Sequence, residues 1–257
     1  MQKHDKMTSY LVMMRLPAVD PQEVTIVSEA KLIPSIDNRL GALIEVFRRQ
    51  GAVTKDEPQA KPAITLSREF GCEAYPVAEL LRQQMEKRTG ETWALMDKAL
   101  LDEVANNHNL SEQVLHNLGE KNRFLDEFLS TFSSRWKSEK DYYRLLTRHI
   151  VALAEHGNVI IMGRGASIVT RNMKNCFCFR IYASLAFKQK SIAKRLSVDS
   201  SEAEAIISRR QKERDKFIRD FLDRDPYDLS VYHLVFNNDK NSAARIADTI
   251  TDYVLKQ

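Results

Sequence analysis

The sequence predicts an α/β protein: a parallel five-stranded sheet with helices on both faces, preceded by an N-terminal appendage. Three observations predict it. Short apolar runs recur along the chain, among them Ala63–Leu66, Asn158–Met162 and Asn175–Ala183, and each has the length of a strand rather than a helix. Segments with apolar residues at helical spacing separate these runs, and such alternation builds a parallel sheet covered by helices. The runs are mostly apolar rather than alternating, as expected of strands buried on both faces.

Residues 1–62 read as the appendage and a linker. Tyr10–Leu16 could form a short strand, and Pro17, Pro21 and Pro34 interrupt anything longer. A helix opens near Ser35-Ile36-Asp37 and runs through Arg49, with Leu40, Leu43, Ile44 and Phe47 on one face and Gly51 as its stop. This helix either docks on the main domain or pairs with a partner. Gly51–Pro62 is polar with two prolines, as a linker is.

The main domain, residues 63–257, begins with the strand at Ala63 and a helix carrying Val77, Leu80, Leu81 and Met85. Thr92–Met96 is a second strand, with Asp97 placed to cap a helix over Lys98–Asn106. A helix opens at Ser111–Leu115 and closes at Gly119; Phe124, Phe128 and Leu129 mark the next. Tyr142 to Leu153 belong to a long helix ending at Gly157. Strands follow at Asn158–Met162, Asn175–Ala183 and Val231–Phe236, and helices at Leu185–Leu196, Ser201–Leu222 and Asn241–Leu255.

Composition narrows the function. The 257 residues carry 39 Lys and Arg against 35 Asp and Glu, a net charge of +4. That balance suits an anionic small molecule and does not argue for bulk nucleic-acid binding. No run approaches the roughly 18 apolar residues of a membrane span, and the N-terminus lacks a signal-peptide core, so a cytoplasmic protein without membrane contact is expected. The three cysteines, Cys72, Cys176 and Cys178, fit a reducing compartment. Cys176-Phe177-Cys178 has no second ligand pair, and we expect no structural metal.

The stretch Ala63–Leu81 organises the chain. Strand, tight turn and helix is the geometry that points unpaired backbone N–H groups at an anion. The turn, Ser67-Arg68-Glu69-Phe70-Gly71-Cys72-Glu73, holds one glycine and no Gly-Lys-Ser/Thr. Ligands of a parallel sheet bind beyond the carboxyl ends of its strands. The places to look are therefore Ser67–Glu73, Asp97, Gly163–Ser167, Ser184 and Asn237–Asp239.

Ile64–Gly71, then Met96–Ala105, then Val159–Ser167, then Phe179–Ser184 and a basic helix, then an Arg-rich helix and a strand ending in Asn237-Asn238 stand in an order that resembles the cytidylate kinase-like family. That family is a divergent branch of the P-loop nucleoside monophosphate kinases, and the resemblance covers about residues 63–255. It implies phosphoryl transfer from ATP to a nucleoside monophosphate, with Mg²⁺ required. It implies catalytic roles for Arg68, Arg164, Arg214 and Arg219, with Arg210 a further lid candidate. It places the nucleotide cofactor at Ser67, Gly71, Cys72, Asn237 and Asn238, and the acceptor at Asp97 and Arg164.

Other readings of the same residues stay open. Arg68 could pair with Glu69, Glu73 or a helix carboxylate, and Asp97 could act only as a cap. Arg210, Arg214 and Arg219 could belong to a solvated helix with i,i+4 ion pairs such as Arg209–Glu213 and Arg219–Asp223. The Lys of the family's loop falls at Ala74 and its Mg²⁺-binding hydroxyl at Pro76. Two functions are therefore expected to compete: a kinase of this family, and a non-catalytic ligand sensor or interaction module on the same fold. In either case the ligand is a nucleotide or another phosphate-bearing small molecule. Residues 1–60 are free to serve a homodimer or a protein partner.

Overall fold

Five strands make one parallel sheet in the order β2-β3-β1-β4-β5. They are β1 (Ala63–Arg68), β2 (Ala94–Met96), β3 (Val159–Met162), β4 (Cys176–Tyr182) and β5 (Leu234–Asn237). The helices are α1 (Ile36–Gly51), α2 (Ala74–Thr89), α3 (Lys98–Asn106), α4 (Glu139–His156), α5 (Ala166–Val169), α6 (Leu185–Leu196), α7 (Ser200–Leu222) and α8 (Ala243–Leu255). The computed structural model describes residues 33–51, 61–106 and 139–257. The expected strand at Tyr10–Leu16, most of the linker and the helices expected around 111–129 lie outside those residues.

β1 is the central strand, and Ala63 sits opposite both Val159 of β3 and Cys176 of β4. Strand side chains alternate between faces, so one buried run feeds two cores. Ile64, Leu66, Ile160, Met162, Phe179 and Ile181 pack with α2 and α8. Ala63, Val159, Ile161 and Cys176 pack on the other face with α3 and α4. Leu43 of α1 is buried in that second core, so the helix of the appendage docks in cis.

Local chemistry sets the helix ends. Ser184, Asp199 and Ser242 accept from the backbone N–H groups of Phe187, Glu202 and Arg245 and so cap α6, α7 and α8. Gly90 closes α2 at φ 72°, a conformation open to glycine at little cost. Three differences from the expected elements have local causes. β2 begins only at Ala94, because the N–H of Trp93 turns to the Glu86 carboxylate. β5 begins at Leu234, because Tyr232 is held in a turn by the Leu229 carbonyl. The short α5 is too brief to carry a periodic signal.

Candidate active site

The loop between β1 and α2 is braced from three directions. The N–H of Glu69 donates to the Ile181 carbonyl at 3.1 Å, that of Phe70 to Gln211 Oε1 at 2.8 Å, and that of Glu73 to Asn238 Oδ1 at 2.9 Å. Lys188 of α6 pairs with the Glu69 carboxylate at 2.8 Å. Gly71 is at φ 96°, and a Cβ there would lie 2.8 Å from Lys188 Cβ. Only glycine lets α6 come so close. Cys72 is buried, and desolvation pushes its thiol up to about 12, so the group stays neutral and unreactive.

Ala74 begins α2 and is buried, and Pro76 follows within the first turn. Neither can do the work of a P-loop lysine or of a hydroxyl that ligates Mg²⁺. Among the described residues no three His, Cys, Asp or Glu side chains form a cation site. The donors at the loop therefore do not fit Mg²⁺ held in the usual P-loop manner. They do fit a phosphate, by a different route.

That route is a pair of arginines. Arg68, at the end of β1, lays its guanidinium against Gly163 at the end of β3. Among the described residues no carboxylate lies within ion-pair distance of it. Burial depresses its pKa, Asp97 acts in the opposite sense and Arg164 adds to the depression. Arg214 of α7 donates from Nη1 to the Arg68 carbonyl at 3.2 Å and stacks 5.1 Å from the Phe70 ring centroid. Burial, then the neighbouring Arg68, push Arg214 well below its ordinary range. Arginine does not surrender its proton in practice. Two neighbouring desolvated guanidinium groups without a counter-ion among the described residues suit an anion.

Gln211, Arg214 and Asp215 share one face of α7, as residues three and four apart do. Asp215 is buried and accepts from Gln211 Nε2 at 2.8 Å and from the Tyr227 hydroxyl at 2.7 Å. Gln211 thus ties the helix to the loop, while Asp215 ties it to Tyr227 beyond its C-terminal end. Arg219 is exposed farther along α7 and is not brought to the pair. Arg210 pairs with Glu213 at 2.9 Å. Asp223 meets Arg219 through the backbone, its N–H donating to the Arg219 carbonyl at 3.1 Å.

Gly163, Arg164 and Gly165 follow β3 with φ of 90°, 51° and 71°. Arg164 grips Asp102 of α3 with two donors, Nε to Oδ1 at 2.8 Å and Nη2 to Oδ2, and stacks 5.2 Å from Phe217. Asp102 also accepts from Tyr142 at 2.6 Å. The bidentate pair holds Arg164 at the edge of the site. Asp102 was not singled out from sequence; its signal is only its place on the inward face of α3, five residues after Asp97.

Asp97 is buried and caps α3, accepting from Leu100 N at 3.0 Å. Its other oxygen pairs with Arg39 of α1. Asn238 is buried and spans from Glu73 to the Asn241 carbonyl, and Asn237 Oδ1 accepts from Asp239 N at 2.9 Å. Asp239 in turn binds both the N–H and the hydroxyl of Ser184. Ser67 is half-buried on β1 opposite Arg180 of β4. The structure brings Arg68, Arg214 and the Gly71 loop together, and it keeps Arg164 and Asp97 beside them in ion pairs.

The chain is similar to known proteins. A crystal structure of an uncharacterized protein from Eubacterium ventriosum is 20% identical, with a TM-score of 0.56, covering 77% of this chain and 99% of that one. The shikimate kinase of Bacteroides thetaiotaomicron is 14% identical with a TM-score of 0.40, covering 76% of this chain and 99% of its own. No curated protein matches the chain. Residues 63–240 match the model of the cytidylate kinase-like family, and this chain belongs to that family.

Proposed function

We propose that the protein binds the phosphate of a nucleotide at the carboxyl ends of β1 and β3. The observation that carries this reading is the Arg68–Arg214 pair, two neighbouring buried arginines joined through the Arg68 carbonyl and with no carboxylate paired to either among the described residues. Arg68 offers its fork from the end of β1, and Arg214 offers the donors not used on the Arg68 carbonyl. Such forks match phosphate oxygens, and their field is strongest where water is excluded. ATP is the family's phosphate source, and when bound with Mg²⁺ it would supply the transferable phosphoryl group.

Turnover is a separate matter. The family implies phosphoryl transfer to a nucleoside monophosphate, with the two arginines stabilising the charge on the transferring group. Ala74 and Pro76 favour the second reading, a ligand-binding protein without catalysis. Isothermal titration with ATP and with CMP, each with and without Mg²⁺, followed by a product assay, separates the two. Binding that does not need Mg²⁺ and yields no product supports the sensor, and ADP formation with CMP supports the kinase. No heat with either nucleotide removes the nucleotide reading altogether.

A further inference from the structure

We propose that Arg39, on the helix before the family domain, is a positioning residue that keeps Arg68 available to phosphate by holding Asp97. The inference rests on the nucleotide reading above. Arg39 lies outside the residues that match the family, 63–240. Its helix is nonetheless part of the same compact unit, residues 36–257, with Leu43 in the core shared by β1 and β3.

The geometry sets up a competition for Asp97. Strands β2, β3 and β1 are neighbours in that order, and Met96 stands opposite Ile161. Asp97 therefore ends β2 one strand away from Gly163, where the Arg68 guanidinium lies. Neighbouring strands are about 4.8 Å apart, so the Asp97 carboxylate and Arg68 are within each other's field. The effect of Asp97 on the Arg68 proton affinity is in keeping with that placement. Yet Asp97 does not pair with Arg68. One oxygen caps α3, and the other is taken by Arg39, with both side chains about nine-tenths buried.

Charge accounting explains why this matters. At this end of the sheet Arg39 answers Asp97 and Arg164 answers Asp102. Among the described residues, what remains uncompensated is Arg68 with Arg214. Without Arg39, a buried carboxylate would be left unpaired beside an unpaired arginine, and the two would neutralise each other. The phosphate would then have to displace Asp97 to reach Arg68. A segment outside the family domain thus decides whether the anion receptor inside it is open.

The test is titration of ATP and CMP into the full-length wild type, R39Q, R39K and R39Q/D97N. Asn caps a helix as well as Asp does, so the double variant removes only the charge. R39Q should weaken the nucleotide roughly tenfold, about 1.4 kcal/mol. R39Q/D97N should recover ATP affinity to within about threefold of the wild type, since the competing carboxylate is gone. R39K keeps the charge and should bind more tightly than R39Q. An unchanged R39Q, a double variant as weak as R39Q, or R39K no better than R39Q overturns the proposal. Should R39Q fail to fold, R39K and the double variant must each bind ATP within about threefold of the wild type, and a tenfold loss in either overturns the proposal. A wild type that binds neither nucleotide overturns the nucleotide reading itself, a result distinct from any of these.

Discussion

Arg214 donates to the backbone carbonyl of Arg68, and so the longest helix among the described residues is tied to the end of the central strand by two buried arginines. That hydrogen bond brings two like-charged side chains close to each other. It persists because one donor of Arg214 finds a carbonyl, Phe70 covers its face, and Gln211 and Asp215 hold the helix on either side. A bound anion would relieve the repulsion between the two guanidinium groups.

Replacing Arg214 should expose this arrangement directly. R214A is expected to weaken nucleotide binding by about 1.5–3 kcal/mol, the range for hydrogen bonds to charged groups. K212A, on the exposed side of the same helix, is the control and should leave affinity unchanged. Calorimetry on both variants checks it, and thermal unfolding should show R214A no less stable than the wild type, because it removes an uncompensated charge.

Two glycines with similar backbones should behave differently when changed to alanine. At Gly163, φ 90°, the added Cβ would lie 2.2 Å from Arg68 Nη1, the mobile tip of a side chain. G163A should displace Arg68 and weaken ligand binding, with a backbone cost of about 1–2 kcal/mol. At Gly157, φ 77°, the Cβ would lie 2.3 Å from the Lys61 carbonyl oxygen, which is backbone and cannot step aside. G157A should lose more stability than G163A. Denaturant unfolding of both variants, with ligand titration of G163A, reads the contrast.

The brace from Asn238 to the loop has an amide-level signature. Asn238 Oδ1 is the acceptor for the Glu73 N–H. In N238A that amide should exchange with solvent much faster, and stability should fall by about 1–2 kcal/mol for a buried donor left unmet. N238D keeps an acceptor and should restore protection. Hydrogen exchange followed at Glu73 decides between them.

His149 should make the fold acid-sensitive in a defined window. It is almost fully buried, and desolvation lowers its pKa from 6.5 to about 4. The unfolded chain therefore takes up a proton at this residue before the folded one does. The stability it contributes is intact above pH 6.5 and declines as pH falls toward 4, by about 3 kcal/mol in all. Denaturant unfolding across pH 7 to 4 should show the slope, and H149Q should flatten it.

Much of the scaffold was legible in the linear sequence because its signals are local. Apolar runs of strand length, helical spacing and caps lie within a few residues of each other. Helix α6 begins and ends where its pattern does, at Leu185 and Leu196. The strand pattern at β5 extends back over Val231 and Tyr232, which are as apolar as a strand, but the turn that withholds Tyr232 depends on the Leu229 carbonyl. The site was legible in part. Arg68 and Arg214 could be named from their motifs, but nothing in the sequence brings them into contact.

Sequence alone was enough for the alternation of strands and helices, the first β–α turn as the landmark of the chain, and the absence of a P-loop lysine and hydroxyl at Ala74 and Pro76. Each of these is a property of neighbouring residues. Which arginines are left without a counter-ion is not. Arg164 is separated from Asp102 by 62 positions, and Arg39 from Asp97 by 58. Only the packing of α1 and α3 on the sheet assigned those carboxylates to those partners, and by doing so left Arg68 and Arg214 unmatched among the described residues.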